Sequence, residues 1–120
     1  MEYHLGRLLD HVHLVVSDLE VSKAFFREVL QSMGRDLSGE GDGYFFADEL
    51  FVTPGENRSR VHIAFQASSR DAVHRFYRAG LAAGGSDNGP PGERHYHPGY
   101  FAAYILDPDG NNIEAVHHTF

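Results

Sequence analysis

The sequence predicts an α+β fold in which one strand–helix–strands unit is used twice, and three observations carry that expectation. The first is self-similarity at a fixed spacing. His62 falls 51 residues after His11, and Phe25, Phe26, Leu30 and Gly34 are answered by Phe76, Tyr77, Leu81 and Gly85 in the same register. The second is that each half opens with a strand-type pattern, turns helical and then returns to strands. The third is the placing of turn residues between these segments, with no linker that would divide the chain.

The elements follow in order. Residues 11–16 and 61–66 are rich in Val, Ile, Leu, Phe and His, as half-buried strands are. After the first, Ser17 or Asp18 can cap a helix whose inner face is Val21, Ala24, Phe25 and Leu30. After the second, Ser68 with Asp71 three residues on reads as a capping box. Val73, Phe76, Tyr77, Gly80 and Leu81 then form the inner face, and Gly84-Gly85 ends the helix. Strands return at 43–47 and 50–53 around Asp48-Glu49, with a further short strand near 34–38. They return again at 100–106 and 112–117 around Asp107-Pro108-Asp109-Gly110, which has proline and glycine where type I turns favour them. Residues 86–99, rich in proline and glycine and carrying His95 and His97, read as a long loop that interrupts the second copy. The expectation is a single domain over 1–120, with module 1 at about 6–55 and module 2 at about 58–120.

Composition narrows the functions available. At 120 residues and 42% apolar content, the chain can build one core without staples. It has no cysteine, so disulfides and thiolate metal sites are excluded and any metal must be held by nitrogen and oxygen. Nine histidines and 17 acidic residues supply such donors. A net charge of −7, with the 10 basic residues scattered, disfavours nucleic-acid binding. The stretch Met1-Glu2-Tyr3-His4 lacks the features of a signal peptide, and no apolar run is long enough to span a bilayer. A cytoplasmic protein with neither membrane nor nucleic-acid partners is expected. No phosphate-binding loop, dinucleotide fingerprint or nucleophile elbow is present.

Three residues on strands invite a metal. Two imidazoles and a carboxylate, His11, His62 and Glu114, can form a facial triad with coordination sites left open. Open sites are what Lewis-acid or oxygen-activating chemistry requires. A single strand histidine is ordinarily a packed or surface residue. The equivalence of His11 and His62 in the repeat is what raises them above that reading. His13, two residues after His11, shares its face. It is a candidate general base or a polar lining residue.

The segment Leu9-Asp10-His11-Val12-His13-Leu14-Val15-Val16-Ser17-Asp18-Leu19, running into Ser22-Lys23-Ala24-Phe25-Phe26, resembles the opening of the vicinal oxygen chelate superfamily. Tyr104-Ile105-Leu106-Asp107-Pro108-Asp109-Gly110-Asn111-Asn112-Ile113-Glu114 resembles its far end. That superfamily includes glyoxalase I, fosfomycin-modifying thiol transferases, extradiol dioxygenases, methylmalonyl-CoA epimerase and bleomycin-binding proteins. The resemblance covers nearly the whole chain. It implies two βαβββ modules forming a curved-sheet half-barrel with flanking helices, and one divalent ion (Zn, Mn, Ni or Fe) on His11, His62 and Glu114. It implies a small oxygen-rich substrate bound through adjacent oxygens. It also implies a homodimer with shared sites, each taking His62 and Glu114 from one chain and His11 from the other.

The resemblance assigns further roles. His13 and Tyr104 match catalytic positions of the thiol transferases, with an aromatic core residue as the plain alternative for Tyr104. Apart from the resemblance, His95, His97 and Tyr100 of the long loop could cover the metal as a lid and reach the substrate, with surface histidines as the plain alternative. Superposing Asn112-Ile113-Glu114-Ala115 on Glu49-Leu50-Phe51-Val52 puts Phe51 where glyoxalase I has a fourth ligand, so Phe51 would wall the substrate instead. Glu49, two residues away, keeps the same face and stays a candidate ligand. Adjacent on a strand, His117 and His118 face opposite ways. Arg94 is either an anchor for an anionic substrate or a solvated arginine. The expected activity is a metal-dependent lyase, isomerase or thiol transferase. The alternatives are an Fe(II) extradiol-type dioxygenase and a non-catalytic resistance protein that sequesters a small molecule.

Overall fold

The computed structural model describes residues 5–119; the amino-terminal four residues and residue 120 lie outside the described residues. The repeat in the sequence is a repeat in space. Module 1 comprises β1 (Val12–Val16), α1 (Leu19–Ser32), β2 (Gly39–Gly41), β3 (Tyr44–Ala47) and β4 (Leu50–Pro54). Module 2 comprises β5 (His62–Gln66), α2 (Arg70–Ala82), β6 (Ser86–Arg94), β7 (Tyr100–Leu106) and β8 (Asn112–His118). The two sheets have the same order, β1-β4-β3-β2 and β5-β8-β7-β6. In each, the first strand pairs parallel with the last and the others are antiparallel. Both sheets are open, and neither closes into a barrel.

The helices are set by their caps and apolar stripes. Asp18 caps α1 through the Val21 amide. Ser69, not Ser68, caps α2 through the Ala72 amide, because its extended backbone aims its hydroxyl at that amide. On α1 the buried stripe is Ser22, Phe25, Phe26, Val29 and Leu30. Val21, expected on the inner face, is exposed, and so is Leu81 of α2. Both helices pack against one shared core, in which Phe25, Phe26 and Phe45 meet Phe76, Ile105 and Ile113. Gly80 and Gly85 let α2 sit close to β7: a Cβ on Gly85 would lie 2.5 Å from the Ile105 side chain.

Two segments differ from the sequence reading. The short strand expected near 34–38 forms later, as β2, where Gly39 pairs with Phe46. The loop expected over 86–99 is largely a strand, β6, which runs along β7 with register shifts on either side of Gly89. Proline and glycine normally argue against a strand. They are tolerated here because β6 is an edge, where a missing N–H breaks no ladder, and because the shifts absorb Pro90 and Pro91. Only residues 95–99 remain outside the strands.

Candidate metal centre

The turn Asp107–Gly110 does more than reverse the chain. The Asp107 carboxylate accepts from the Asp109 and Asn111 amides and from the Asn111 side chain. The Asn111 side-chain oxygen in turn accepts from the Val61 amide at 2.9 Å. The start of β5 is thereby fastened to the start of β8, and Ala64 becomes the register partner of Glu114. Along β8, Asn112, Glu114, Val116 and His118 alternate onto the open face of the sheet, while Ile113 and Ala115 enter the core.

On that face His62 Nε2 lies 2.7 Å from Glu114 Oε1. The Glu114 side chain is 2% exposed and that of His62 is 54% exposed. The other Glu114 oxygen accepts a hydrogen bond from the Tyr100 hydroxyl. Tyr104, the cross-strand partner of Glu114, places its ring 6.2 Å from the His62 ring. Burial, with the nearby Glu114 charge next, pushes the Tyr104 phenol up to about 12. Burial and the bond to Glu114 hold the Tyr100 phenol well above the ordinary range. Both tyrosines are therefore protonated donors at neutral pH.

Beyond this centre the rim is aromatic and imidazole-rich. His97 Nε2 is 3.1 Å from His118 Nδ1, and the His97 ring meets Tyr100 edge-on at 5.3 Å. His95 stacks on Tyr96, which abuts Tyr100. His117 turns to the opposite face and bonds the Ala67 carbonyl.

The remaining candidates lie on module 1. His11 is exposed, with Nδ1 2.8 Å from Asp10. His13 bonds Thr53 at 2.7 Å and its ring lies 5.4 Å from Phe51. Phe51 also stacks with Tyr44. Leu50 partners Val12 as Ile113 partners Ile63, so Phe51 holds the position that Glu114 holds in module 2. Glu49 sits beside the start of β1; one of its oxygens is withdrawn from solvent without a hydrogen bond and lies 3.8 Å from Arg7. The sequence candidates thus fall into two groups: His62, Tyr100, Tyr104 and Glu114 on one sheet with His97 at its rim, and His13 and Phe51 on the other with His11 just before β1. Among the described residues, no three His, Asp or Glu side chains converge as a metal site. A cavity of about 280 Å³ opens between the modules against Val12, Glu49, Leu50, Ile63 and Phe65, but it includes none of the His62–Glu114 group.

What these residues can hold is two thirds of a ligand set. An imidazole nitrogen and a buried carboxylate oxygen converge on the open face, and this donor chemistry suits a borderline divalent ion.

A twice-used βαβββ unit with two open sheets defines a class of protein. The chain belongs to the Glyoxalase/Bleomycin resistance protein/Dioxygenase superfamily, whose model matches residues 8–115. It is 30% identical to the uncharacterized protein YqjT of Bacillus subtilis (strain 168), over 90% of this chain and 97% of that protein. It is similar to the crystal structure of a glyoxalase/bleomycin resistance protein from Albidiferax ferrireducens T118, with a TM-score of 0.80 and 31% identity over 94% of this chain and 100% of that one. The fold is shared with the fosfomycin resistance protein FosX from Listeria monocytogenes, at a TM-score of 0.71 and 21% identity, covering 97% of each chain. Among the described residues, no helix is long and apolar enough to cross a membrane.

Proposed function

We propose that this protein is a divalent-metal-dependent enzyme of the lyase, isomerase or thiol-transferase type, acting on a small oxygen-rich molecule. The observation that carries the reading is the His62–Glu114 pair. A carboxylate this buried is costly unless it is paired. Glu114 is paired with an imidazole and a phenol, not with a guanidinium or ammonium group. Such a carboxylate beside an imidazole, on an open sheet face, is a part-built site for a cation.

In this reading His62 and Glu114 hold the ion together with His11 of the partner subunit in a homodimer. Zn²⁺, Mn²⁺, Ni²⁺ and Fe²⁺ all suit nitrogen and oxygen donors. Once bound, the ion supplies Lewis-acid stabilisation of negative charge on a substrate oxygen. The chain's own residues do the rest. Tyr100 fixes the orientation of Glu114, as groups behind a ligand commonly do. Tyr104 stays protonated and donates a hydrogen bond to a substrate oxygen. His13 of the partner subunit, arriving with its His11, is the proton acceptor; within each chain Thr53 holds His13. His97 and Tyr100, with Phe51 of the partner subunit, form walls that keep water from the substrate.

The test is metal content after purification without chelators, beside a His62→Ala/Glu114→Ala double variant. Metal in the wild type and none in the variant is expected; negligible metal in both would sink the reading and favour a sequestering module. Iron with oxygen-dependent catechol consumption would favour a dioxygenase instead. Mixing tests the shared site. His11→Ala and Glu114→Gln chains should each lose metal alone and regain about a quarter of the wild-type content when mixed and allowed to reassort, because half of the dimers are then mixed and each carries one intact site of two. No recovery on mixing would overturn the contribution of His11 across the dimer.

A further inference from the structure

His95 and His97 stand in the turn between β6 and β7, and His117 and His118 end β8. The backbone brings one histidine of each pair together. The Tyr100 amide donates to the His97 carbonyl at 3.2 Å, and the Thr119 amide donates to the Gly99 carbonyl at 2.9 Å. The turn is thus folded back onto the end of β8. Gly99 permits this: its φ is 85°, and a Cβ there would collide with the Thr119 carbonyl oxygen. The other two histidines are engaged elsewhere, His95 stacked on Tyr96 and His117 bonded to the Ala67 carbonyl on the opposite face.

His97 Nε2 lies 3.1 Å from His118 Nδ1, with the two half-buried rings 23° from parallel. His97 Nδ1 lies 2.8 Å from the Pro98 carbonyl. A carbonyl only accepts, so Nδ1 carries the ring proton and Nε2 turns a lone pair towards His118. One nitrogen fixed by a carbonyl and the other aimed outward is how metal-binding imidazoles are commonly held. Nitrogens bound about 2.0–2.1 Å from one ion stand about 2.9 Å apart at a right angle and about 3.4 Å apart at a tetrahedral angle. The pair already has that spacing. Moving the His118 ring proton to Nε2 supplies the second lone pair, and a small turn of the rings aims both at one ion. Glu114 cannot share that ion, because it precedes His118 by four residues on β8, about 13 Å along the strand. Tyr100 stands between the two places. Its hydroxyl bonds Glu114, and its ring meets His97 and His118 edge-on at 5.3 and 5.2 Å.

We propose that His97 and His118 hold a divalent transition-metal ion of their own, of the imidazole-preferring kind represented by Zn²⁺, Ni²⁺ and Cu²⁺, with water in its other positions. The ion ties the 95–99 turn to the end of β8 and so fixes the rim beside Tyr100. The site shares no ligand with the His62–Glu114 pair and does not require that pair to bind metal.

The probe is Zn²⁺ alone, titrated into chelator-treated full-length protein, with the imidazole nitrogens followed by ¹H–¹⁵N NMR. His97 Nε2 and His118 Nδ1 should shift together and saturably, while His97 Nδ1 stays protonated. The His62→Ala/Glu114→Ala double variant should give the same response at these two rings. His97→Ala and His118→Ala should each weaken the binding by more than the roughly tenfold that loss of an orienting partner costs. His95→Ala, an exposed histidine of the same turn, should leave it unchanged. Gly99→Ala keeps both imidazoles but displaces the turn, so it should weaken binding as well. No shift at either ring, undiminished binding in His97→Ala, His118→Ala or Gly99→Ala, equal loss in His95→Ala, or loss of the response in the double variant would overturn the proposal. The same spectra keep the two readings apart. Zinc at His97 and His118 with none at His62 defeats the reading of His62 and Glu114 as a metal pair alone, and the reverse result defeats this proposal alone.

Discussion

His62 and Glu114 are not register partners, yet His62 Nε2 lies 2.7 Å from Glu114 Oε1 across one strand gap. The contact is diagonal, and it exists because Asn111 fastens the start of β5 to the turn that precedes β8. A nearly inaccessible carboxylate depends on this bond and on the one from Tyr100. His62→Ala and Tyr100→Phe should therefore each destabilise the metal-free protein by about 1–3 kcal/mol, the cost of leaving a buried charged acceptor short of a donor. Urea unfolding measures this, and unchanged midpoints for both variants would show that Glu114 does not depend on these partners.

Alkaline stability should carry the signature of the paired tyrosines. Burial holds the Tyr104 phenol up at about 12 and the Tyr100 phenol above its usual range. Each folded-state value lies above the unfolded one, so their contribution is complete below about pH 10 and is lost as pH rises towards 12. Tyr104→Phe should flatten the fall in stability over that window and remove a phenolate absorbance step near its upper end. An unaltered slope in the variant contradicts this account.

Acid and salt should loosen the edge of the first sheet. Glu40 on β2 accepts from Lys23 and Arg27 of α1. The bond from Lys23, more than any other influence, holds the Glu40 carboxyl below its ordinary value. This support is present above the usual carboxylate range and is lost as pH falls through it. Glu40→Gln should lower the thermal midpoint at neutral pH in dilute buffer. The gap from wild type should close in 1 M NaCl, because exposed pairs are screened. A gap that survives high salt would point to packing instead.

Gly85→Ala should be the most damaging of the glycine substitutions near α2. Its Cβ would meet the Ile105 side chain at 2.5 Å and the carbonyl oxygens of Gly80 and Leu106 at 2.8 and 2.9 Å. Backbone on two sides leaves little room to relax, and overpacking of this kind costs about 1–3 kcal/mol. Denaturant titration should show the loss, whereas Gly84→Ala should be governed by its positive φ of 97° rather than by contacts.

Local patterns carried much of the fold. The strands that flank the helices, the Asp18 cap and the Asp107–Gly110 turn are all legible because each rests on alternation, a cap side chain or a turn residue. Ser69 displaced Ser68 as the second cap because the choice between neighbouring serines depends on backbone angle, not residue type. β6 was illegible because its prolines and glycines argue against a strand, and only an edge position with register shifts accommodates them. Arg94 shows the same limit. The sequence leaves it either an anchor for an anion or a solvated arginine, while its position over the Tyr104 ring and beside Gly89 and Gly92 depends on the pairing of β6 with β7.

The sequence by itself determined that His11 and His13 share a face and that His11 is the counterpart of His62, because strand alternation and a 51-residue repeat are properties of order along the chain. Only the tertiary structure decided which of the three meet. The Asn111 fastening brings His62 to Glu114, while the two modules join through their helices and a shared core, leaving His11 at the entry to the other sheet, beside Asp10. Register and module packing act across residues far apart in sequence, and no local pattern encodes them.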